Sequence, residues 1–313
     1  MAWLPFVFIA LGMIVGFLKL PKKFFDLAEP FGNIALIILM LSIGFNIGAS
    51  DTVIKNIGVI GLQCAFITFC ALFLSIIGVV ALEKTILPLD ELQKKIMSLN
   101  VTTKEKPEKK TSLFIWIIPT CLISGIFAGI FLPADLFPGN LIDKIFTVSL
   151  MILYITVGIG LSQNRHVFAY VKLLGWKISL ISLAIIIGSL AGGLIAGLIL
   201  NLQLNIAVLS ACGMSYYSLT GAFMTQTYGI TAGTYGFLVN VMREFITIVL
   251  LPLFIRISKG APIACGGAAD MDTVLMPVTK FVGAELGLIV LITGTILTFA
   301  VPVLLQLLSN ILF

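Results

Sequence analysis

Apolar runs of about twenty residues recur from one end of this chain to the other, and in lipid a run of that length can satisfy its backbone only as a helix or as part of a closed barrel. The apolar residues do not alternate with period two, so helices are implied rather than a barrel. Full-length spans are predicted at roughly 2–20, 33–50, 56–82, 112–132, 142–161, 173–200, 232–257 and 282–310, eight in all. Composition agrees: 59% of residues are hydrophobic and 11% charged, where soluble domains carry about 25% charge. The expected class is an all-α, polytopic membrane protein. Residues 1–20 lack a basic leader and a small-residue cleavage site, so they are expected to remain as a span.

Two further segments, 204–226 and 260–281, are apolar but interrupted by glycine, serine and threonine. Each is either a re-entrant hairpin or a discontinuous crossing helix. The cations favour hairpins. With the amino terminus outside, Lys19, Lys22, Lys23, the seven lysines between 83 and 111, Arg165, Lys172, Lys177, Arg256, Lys259 and Lys280 all face the cytoplasm, leaving Lys55 and Lys144 outside. Ten crossings would put Arg256 and Lys259 on the outer side. Eight spans with both termini outside, in the cytoplasmic membrane of the cell, follow from that count.

The one long polar stretch, residues 89–111, is expected to be a cytoplasmic linker between a three-span unit at 1–88 and a longer transport unit at 112–313. Across it runs a faint repeat. GMIVGFLKLP and the later LSIGFNIG resemble GIFAGIFLP and the later ITVGIGLS at a spacing of about 113 residues. An odd number of spans separates the copies, so they would insert in opposite senses, although helix-packing glycines produce similar patterns.

Chemistry is concentrated in NVMREFITIVLLPL, residues 240–253, where Arg243 and Glu244 sit near the middle of a span. Each charge there costs about 2.5–3.5 kcal/mol on insertion scales, which marks a functional site by default. Adjacent residues diverge by roughly 100° around a helix, so the two do not face each other and each needs a partner elsewhere. Asn240 shares the face of Glu244, and Thr247 that of Arg243. The interrupted segments flank this helix with SACGMSYYSLTGAF (210–223) and IACGGAADMDTVLMP (263–277). Gly213, Gly221, Gly266 and Gly267 would allow bends and close approach, while Tyr216, Tyr217, Ser218 and Thr220 would line a pocket. Half-helix amino termini offer partial positive charge to an anion, and freed carbonyls can hold a cation. Asp270, Asp272 and Asp51 add carboxylates at or near membrane depth; for Asp51 and Asp270 a boundary position facing water is an equal alternative.

The combination MREFITIVLLPLFIR, GMSYYSLTG, GAADMD and IGFNIGASD resembles the lysine exporter family (LysO) over nearly the whole chain. The resemblance implies export of L-lysine in exchange for protons, with membrane carboxylates matching Asp51 and Glu244. It departs at Tyr216, where a relative has tryptophan, and at Pro277, which comes one residue late.

Exchange has a simple physical basis. A desolvated carboxylate favours its proton and an ammonium beside it favours the anion, so binding one expels the other. Lysine leaving the cell carries a positive charge against the membrane potential at about 2.3 kcal/mol per 100 mV, and one proton entering cancels that movement. In this scheme Glu244 is the main carboxylate, Arg243 and the tip amides hold the substrate carboxylate, and Asp272 and Asp51 assist. An ion-coupled carrier of organic acids or other amino acids on the same scaffold is the alternative. An enzyme is not expected: HExxH, GxSxG and a histidine within a span are all absent. Cys64, Cys70, Cys121, Cys212 and Cys265 form no CxxC, and the single histidine, His166, lies in a basic loop, so neither a metal centre nor a cofactor is implied. The expected partners are lysine, protons and the lipid bilayer, not nucleic acid; a homodimer is compatible with the sequence.

Overall fold

The computed structural model describes residues 4–18, 22–98, 111–132, 141–163 and 174–311. Among these residues the regular structure is helical, with thirteen α-helices and no strands. They are α1 (Leu4–Phe17), α2 (Lys22–Gly48), α3 (Asp51–Thr85), α4 (Leu89–Ser98), α5 (Thr111–Phe131) and α6 (Leu141–Gln163), then α7 (Ser179–Ile199), entered through the 3-10 turn Trp176–Ile178. The second half continues with α8 (Leu204–Cys212), α9 (Tyr217–Tyr228), α10 (Ile230–Ile257), α11 (Gly260–Gly266), α12 (Leu275–Val282) and α13 (Gly287–Ile311). Five segments are long and apolar enough to cross a bilayer: Pro30–Gly48, Val53–Thr85, Trp176–Ile199, Ile230–Ile257 and Gly287–Ile311. Shorter apolar segments at Val7–Phe17, Thr120–Phe131 and Lys144–Gly160 coincide with the other three expected spans. The chain is a multi-pass membrane protein. Helices α2 and α3 run past the apolar windows into polar sequence, because backbone hydrogen bonding continues where side-chain hydropathy has already fallen.

Small residues set the packing of the first half. A Cβ on Gly12 would meet the Ile155 carbonyl at 2.1 Å, and one on Gly125 would meet the Leu41 carbonyl at 2.5 Å. Gly16 meets Ser162 and Ile159; Gly129 meets Phe45 and Gly48. So α1 lies parallel to α6 and α5 parallel to α2, and moving α1 along by 113 residues and α6 back by 114 converts one contact into the other. That is an inverted repeat written in packing. Its third members, α3 and α7, run antiparallel, with Ser75 Oγ 3.2 Å from Ser189 Oγ and Gly192 against Ala71. The helices before and after the linker therefore interlock. Residues 89–98 of that linker form α4, which buries Leu89, Leu92 and Ile96, while 99–110 lie outside the described residues, as do Lys19, Arg165, His166 and Lys172.

Chain direction settles the two broken segments. Helix α10 runs parallel to α3: the Tyr235 hydroxyl bonds Gln63, Thr68 Oγ1 donates to the Val239 carbonyl at 3.0 Å, and Gly260 N–H reaches Glu83 at 3.1 Å. Helix α7, antiparallel to α3, ends on the side toward which α3 has its Asp51 end. From there α8 enters antiparallel to α7, with Gly197 against Leu204 and Gly193 against Ala211. Helix α9 then returns to the same end, since it is antiparallel to α10 through the pairs Gly233–Thr225 and Gly236–Met224. The segment is a re-entrant hairpin from the Asp51 end. The second hairpin starts at the Thr85 end, where Lys259 Nζ donates to Asp90 at 2.6 Å and Gln93 at 2.7 Å, and comes back to it, since Gln93 also donates to Glu285 at 3.0 Å. Lys259 holds the exposed Asp90 carboxyl below the usual carboxylate range. Lys84, Lys94, Lys177, Arg256, Lys259 and Lys280 lie at the Thr85 end, Lys55 and Lys144 at the other. Pro277 falls in the first turn of α12, where a missing N–H is harmless, so its position does not disturb that helix.

The glycine seams differ from exposed glycines, and substitutions will separate them. Gly44→Ala puts a methyl 2.3 Å from the Leu122 carbonyl and is expected to destabilise by about 1–3 kcal/mol. Gly58→Ala, in open space on α3, is expected to be neutral or to stabilise by about 0.5–1 kcal/mol. Thermal unfolding in detergent reads both.

Candidate functional site

One face of α10 holds the tips of both hairpins. Asn240 is fully buried: its Oδ1 accepts from Ser215 N–H at 2.8 Å, and its Nδ2 donates to the Ser210 carbonyl at 2.9 Å and to the Gly236 carbonyl at 2.7 Å. One amide thus satisfies the broken backbone of the first tip. Gly213 is required there, because a Cβ would sit 2.4 Å from both Asn240 Nδ2 and Thr220 Oγ1. The turn then passes through two left-handed residues that are not glycine, Met214 (φ +46°) and Ser215 (φ +75°).

Arg243, one turn further on, serves the second tip. Its Nε donates to the Cys265 carbonyl at 3.2 Å, Nη2 to the Ala264 carbonyl at 3.0 Å and Nη1 to Ser189 Oγ at 2.7 Å. The two carbonyls belong to the last turn of α11, where the helix dipole is negative and its oxygens lack helical partners. Ser189 supplies the third contact from α7. Among the described residues the one ion pair is Lys259–Asp90, so Arg243 is held by carbonyls and a hydroxyl rather than by a carboxylate. The tips also join each other: Ala268 N–H donates to the Met214 carbonyl at 2.7 Å, and Gly267 (φ +65°) allows this because a Cβ would meet that oxygen at 2.4 Å.

Glu244 is 6% exposed and its Oε2 has no hydrogen-bond partner. The groups in electrostatic reach of it are Asp272 and Tyr217, with the Thr273 hydroxyl close to the carboxylate. Asp272 is exposed, and its Oδ1 accepts from the Thr273 N–H and hydroxyl. Tyr216 and Tyr217 are half-buried; Tyr217 packs edge-on against Phe237 at 5.7 Å, and Tyr216 faces Asp272 and Tyr154 of α6. Two carboxylates and two phenols therefore converge where the tips meet.

Several expected site residues have other duties. Asn240 bonds the first tip, not Glu244, and Thr247 donates back to the Arg243 carbonyl at 2.7 Å. Thr220 Oγ1 is committed to the Tyr216 carbonyl at 2.8 Å, Ser218 is buried, and Gly221 makes close contact with Phe237. Gly266 lies against the Asp270 carboxyl. Asp270 is fully buried near Arg243, with neither oxygen hydrogen-bonded. Asp51 is not brought to this cluster. It is exposed in the first turn of α3, and the register of α3 on α10 puts it about 30 Å along the axis from Glu244. Ser189, Thr273, Gly294 and Tyr154 were not singled out by sequence; lone small or aromatic residues in apolar helices give no periodic signal.

A polytopic helical protein with two opposed re-entrant hairpins and ionisable groups at their junction has the architecture of a membrane carrier. The sequence profile of the "Lysine exporter LysO" family matches residues 6–95 and 120–309, so the chain belongs to that family. It is similar to "Lysine exporter LysO" of Escherichia coli (strain K12), 27% identical over 161 residues, which is 51% of this chain and 54% of the relative. It is also similar to the "Putative lysine exporter" of Haemophilus influenzae (strain ATCC 51907 / DSM 11121 / KW20 / Rd), 29% identical over 98 residues, 31% of this chain and 50% of the relative. The chain thus spans about half the length of these relatives. No solved structure matches.

Removing Asn240 tests the clamp on the first tip. Asn240→Ala orphans the Ser215 N–H and the Ser210 carbonyl and should lower stability by at least about 2 kcal/mol. Thr247→Val, which removes a bond within one helix, should stay within about 1 kcal/mol of the parent. Detergent-phase unfolding of the two variants makes the comparison.

Proposed function

We propose that the protein exports L-lysine, and close basic analogues, across the cytoplasmic membrane in exchange for protons. The observation that carries this is the Glu244 carboxylate, buried with Oε2 unpartnered where two broken hairpins meet, in electrostatic reach of the exposed Asp272. Such an oxygen is satisfied either by a proton or by an ammonium, and the two compete. Asp272 shares the cation, and Tyr216 and Tyr217 enclose its aliphatic stem. The substrate carboxylate goes to the amino end of α9, whose first N–H groups have no helical acceptor and lie at the positive end of the dipole. Arg243, with donors already on Ser189 and α11, fastens the second hairpin rather than gripping substrate. Asp51, exposed at the far end of α3, acts at the entrance to that side and not in the central pocket.

Orientation follows the cations. The Thr85 end, with Lys84, Lys94, Lys177, Arg256, Lys259 and Lys280, faces the cytoplasm, and both chain ends face out. Exchange of one lysine for one proton moves no net charge, so membrane potential, worth about 2.3 kcal/mol per charge per 100 mV, does not oppose export.

Liposomes loaded with labelled lysine and given a pH gradient provide the test. Efflux should follow the gradient, compete with unlabelled lysine and ignore sodium. Glu244→Gln keeps the shape and removes the charge; it should abolish efflux while the protein still inserts and elutes as a single species. Full efflux from that variant would remove Glu244 from the mechanism. Sodium-driven movement of an organic anion instead would replace lysine as the substrate.

A further inference from the structure

Asp270 stands apart from the pocket around Glu244, and it is the most completely dry carboxyl described. It is 0% exposed, and both its oxygens lack a hydrogen-bond donor. It is wedged against bare backbone on two sides. A Cβ on Gly266 would lie 1.8 Å from Oδ1, and one on Gly294 of α13 would lie 2.9 Å from the Asp270 Cβ and 2.2 Å from Met271 N. Space of that kind admits neither lysine nor the six or more oxygens that a hard cation collects, and no cluster of metal-ligating side chains occurs among the described residues. A proton is the ligand that fits.

We infer that Asp270 is a second proton site, separate from the lysine pocket, whose occupancy governs how Arg243 holds the second hairpin. This rests on the lysine-for-proton exchange proposed above. The titratable groups facing Asp270 are Arg243 from α10, Cys265 from α11 and Asp272 two residues on. Helix α13, packed on its other side, carries no ionisable residue. With the proton on, Asp270 is neutral and Arg243 stays on the Ala264 and Cys265 carbonyls. With the proton gone to water at Asp272, a dry anion faces a single cation, and the two draw together at the expense of those carbonyl bonds. The last turn of α11 is then released, and with it the Ala268–Met214 link between the tips. Glu244 exchanges ligands; Asp270 sets when the tips come apart.

Two assays on the full chain separate these roles, lysine flux in liposomes driven by a pH gradient and equilibrium binding of labelled lysine to the purified protein. Asp270→Asn mimics the protonated, latched state. It should cut gradient-driven flux by on the order of tenfold or more while leaving lysine binding within about twofold of wild type. Gradient-driven flux at the wild-type level in Asp270→Asn overturns the inference and leaves lysine-for-proton exchange standing. Loss of lysine binding as well as flux places Asp270 in the lysine site itself and also overturns it. Wild type that binds lysine but ignores the gradient sinks the proton exchange and this inference together. If Asp270→Asn does not fold, infrared spectra of wild type carrying carboxyl-labelled aspartate give the answer. A protonated aspartate band at neutral pH that persists in Asp272→Asn is expected, and its absence overturns the assignment.

Discussion

Breaking a helix inside a bilayer leaves amides and carbonyls that lipid cannot satisfy, and the molecule meets that demand from one face of α10. Asn240 takes one N–H and gives to two carbonyls; Arg243 gives to two carbonyls and a serine. Three residues apart, the two side chains reach opposite hairpins, so a single helix fixes the depth at which both tips stop. An arginine charge would be prohibitive there alone, yet carbonyls at the end of α11 present it with the partial negative charge it needs. With those demands satisfied by neighbours on α10, the adjacent Glu244 can be left with an oxygen unpaired.

The frame around this centre is built twice. Helices α1 and α6 pack as α5 and α2 do, through glycines one turn apart set against carbonyls, and the two arrangements are inverted relative to each other. The hairpin units repeat the device: α8, α9 and α10 start from one end, α11, α12 and α13 from the other. An inverted pair of this kind gives the protein two equivalent ways to face a membrane, which is the geometric requirement for a carrier that opens to either side.

Much of this was legible in the chain. Eight apolar runs, two interrupted segments and an Arg-Glu pair in the midst of one run are strong signals because lipid punishes exceptions. The lysine asymmetry pointed to hairpins, and chain direction in the structure agrees. The glycine repeat, faint as sequence, is plain as packing. Individual roles were harder. Asn240 looked like a companion of Glu244 because it shares a helix face, but the groups it bonds are 25 and 30 residues away in the chain. Asp51, a site candidate through the resemblance of IGFNIGASD alone, does not share a location with the cluster. Ser189 and Gly294 are silent in sequence because a small residue in an apolar helix usually reports nothing beyond close packing.

The first tip has an energetic character of its own. Met214 and Ser215 both carry left-handed backbone without being glycine, at about 1–3 kcal/mol each, and the Ser215 N–H bond to Asn240 with the Met214 carbonyl bond to Ala268 keeps them there. The turn is a wound spring with two latches, one on its own supporting helix and one on the opposing hairpin. Losing the second latch would let that turn unwind, so the strain held at Met214 and Ser215 would be available to any rearrangement that parts the tips.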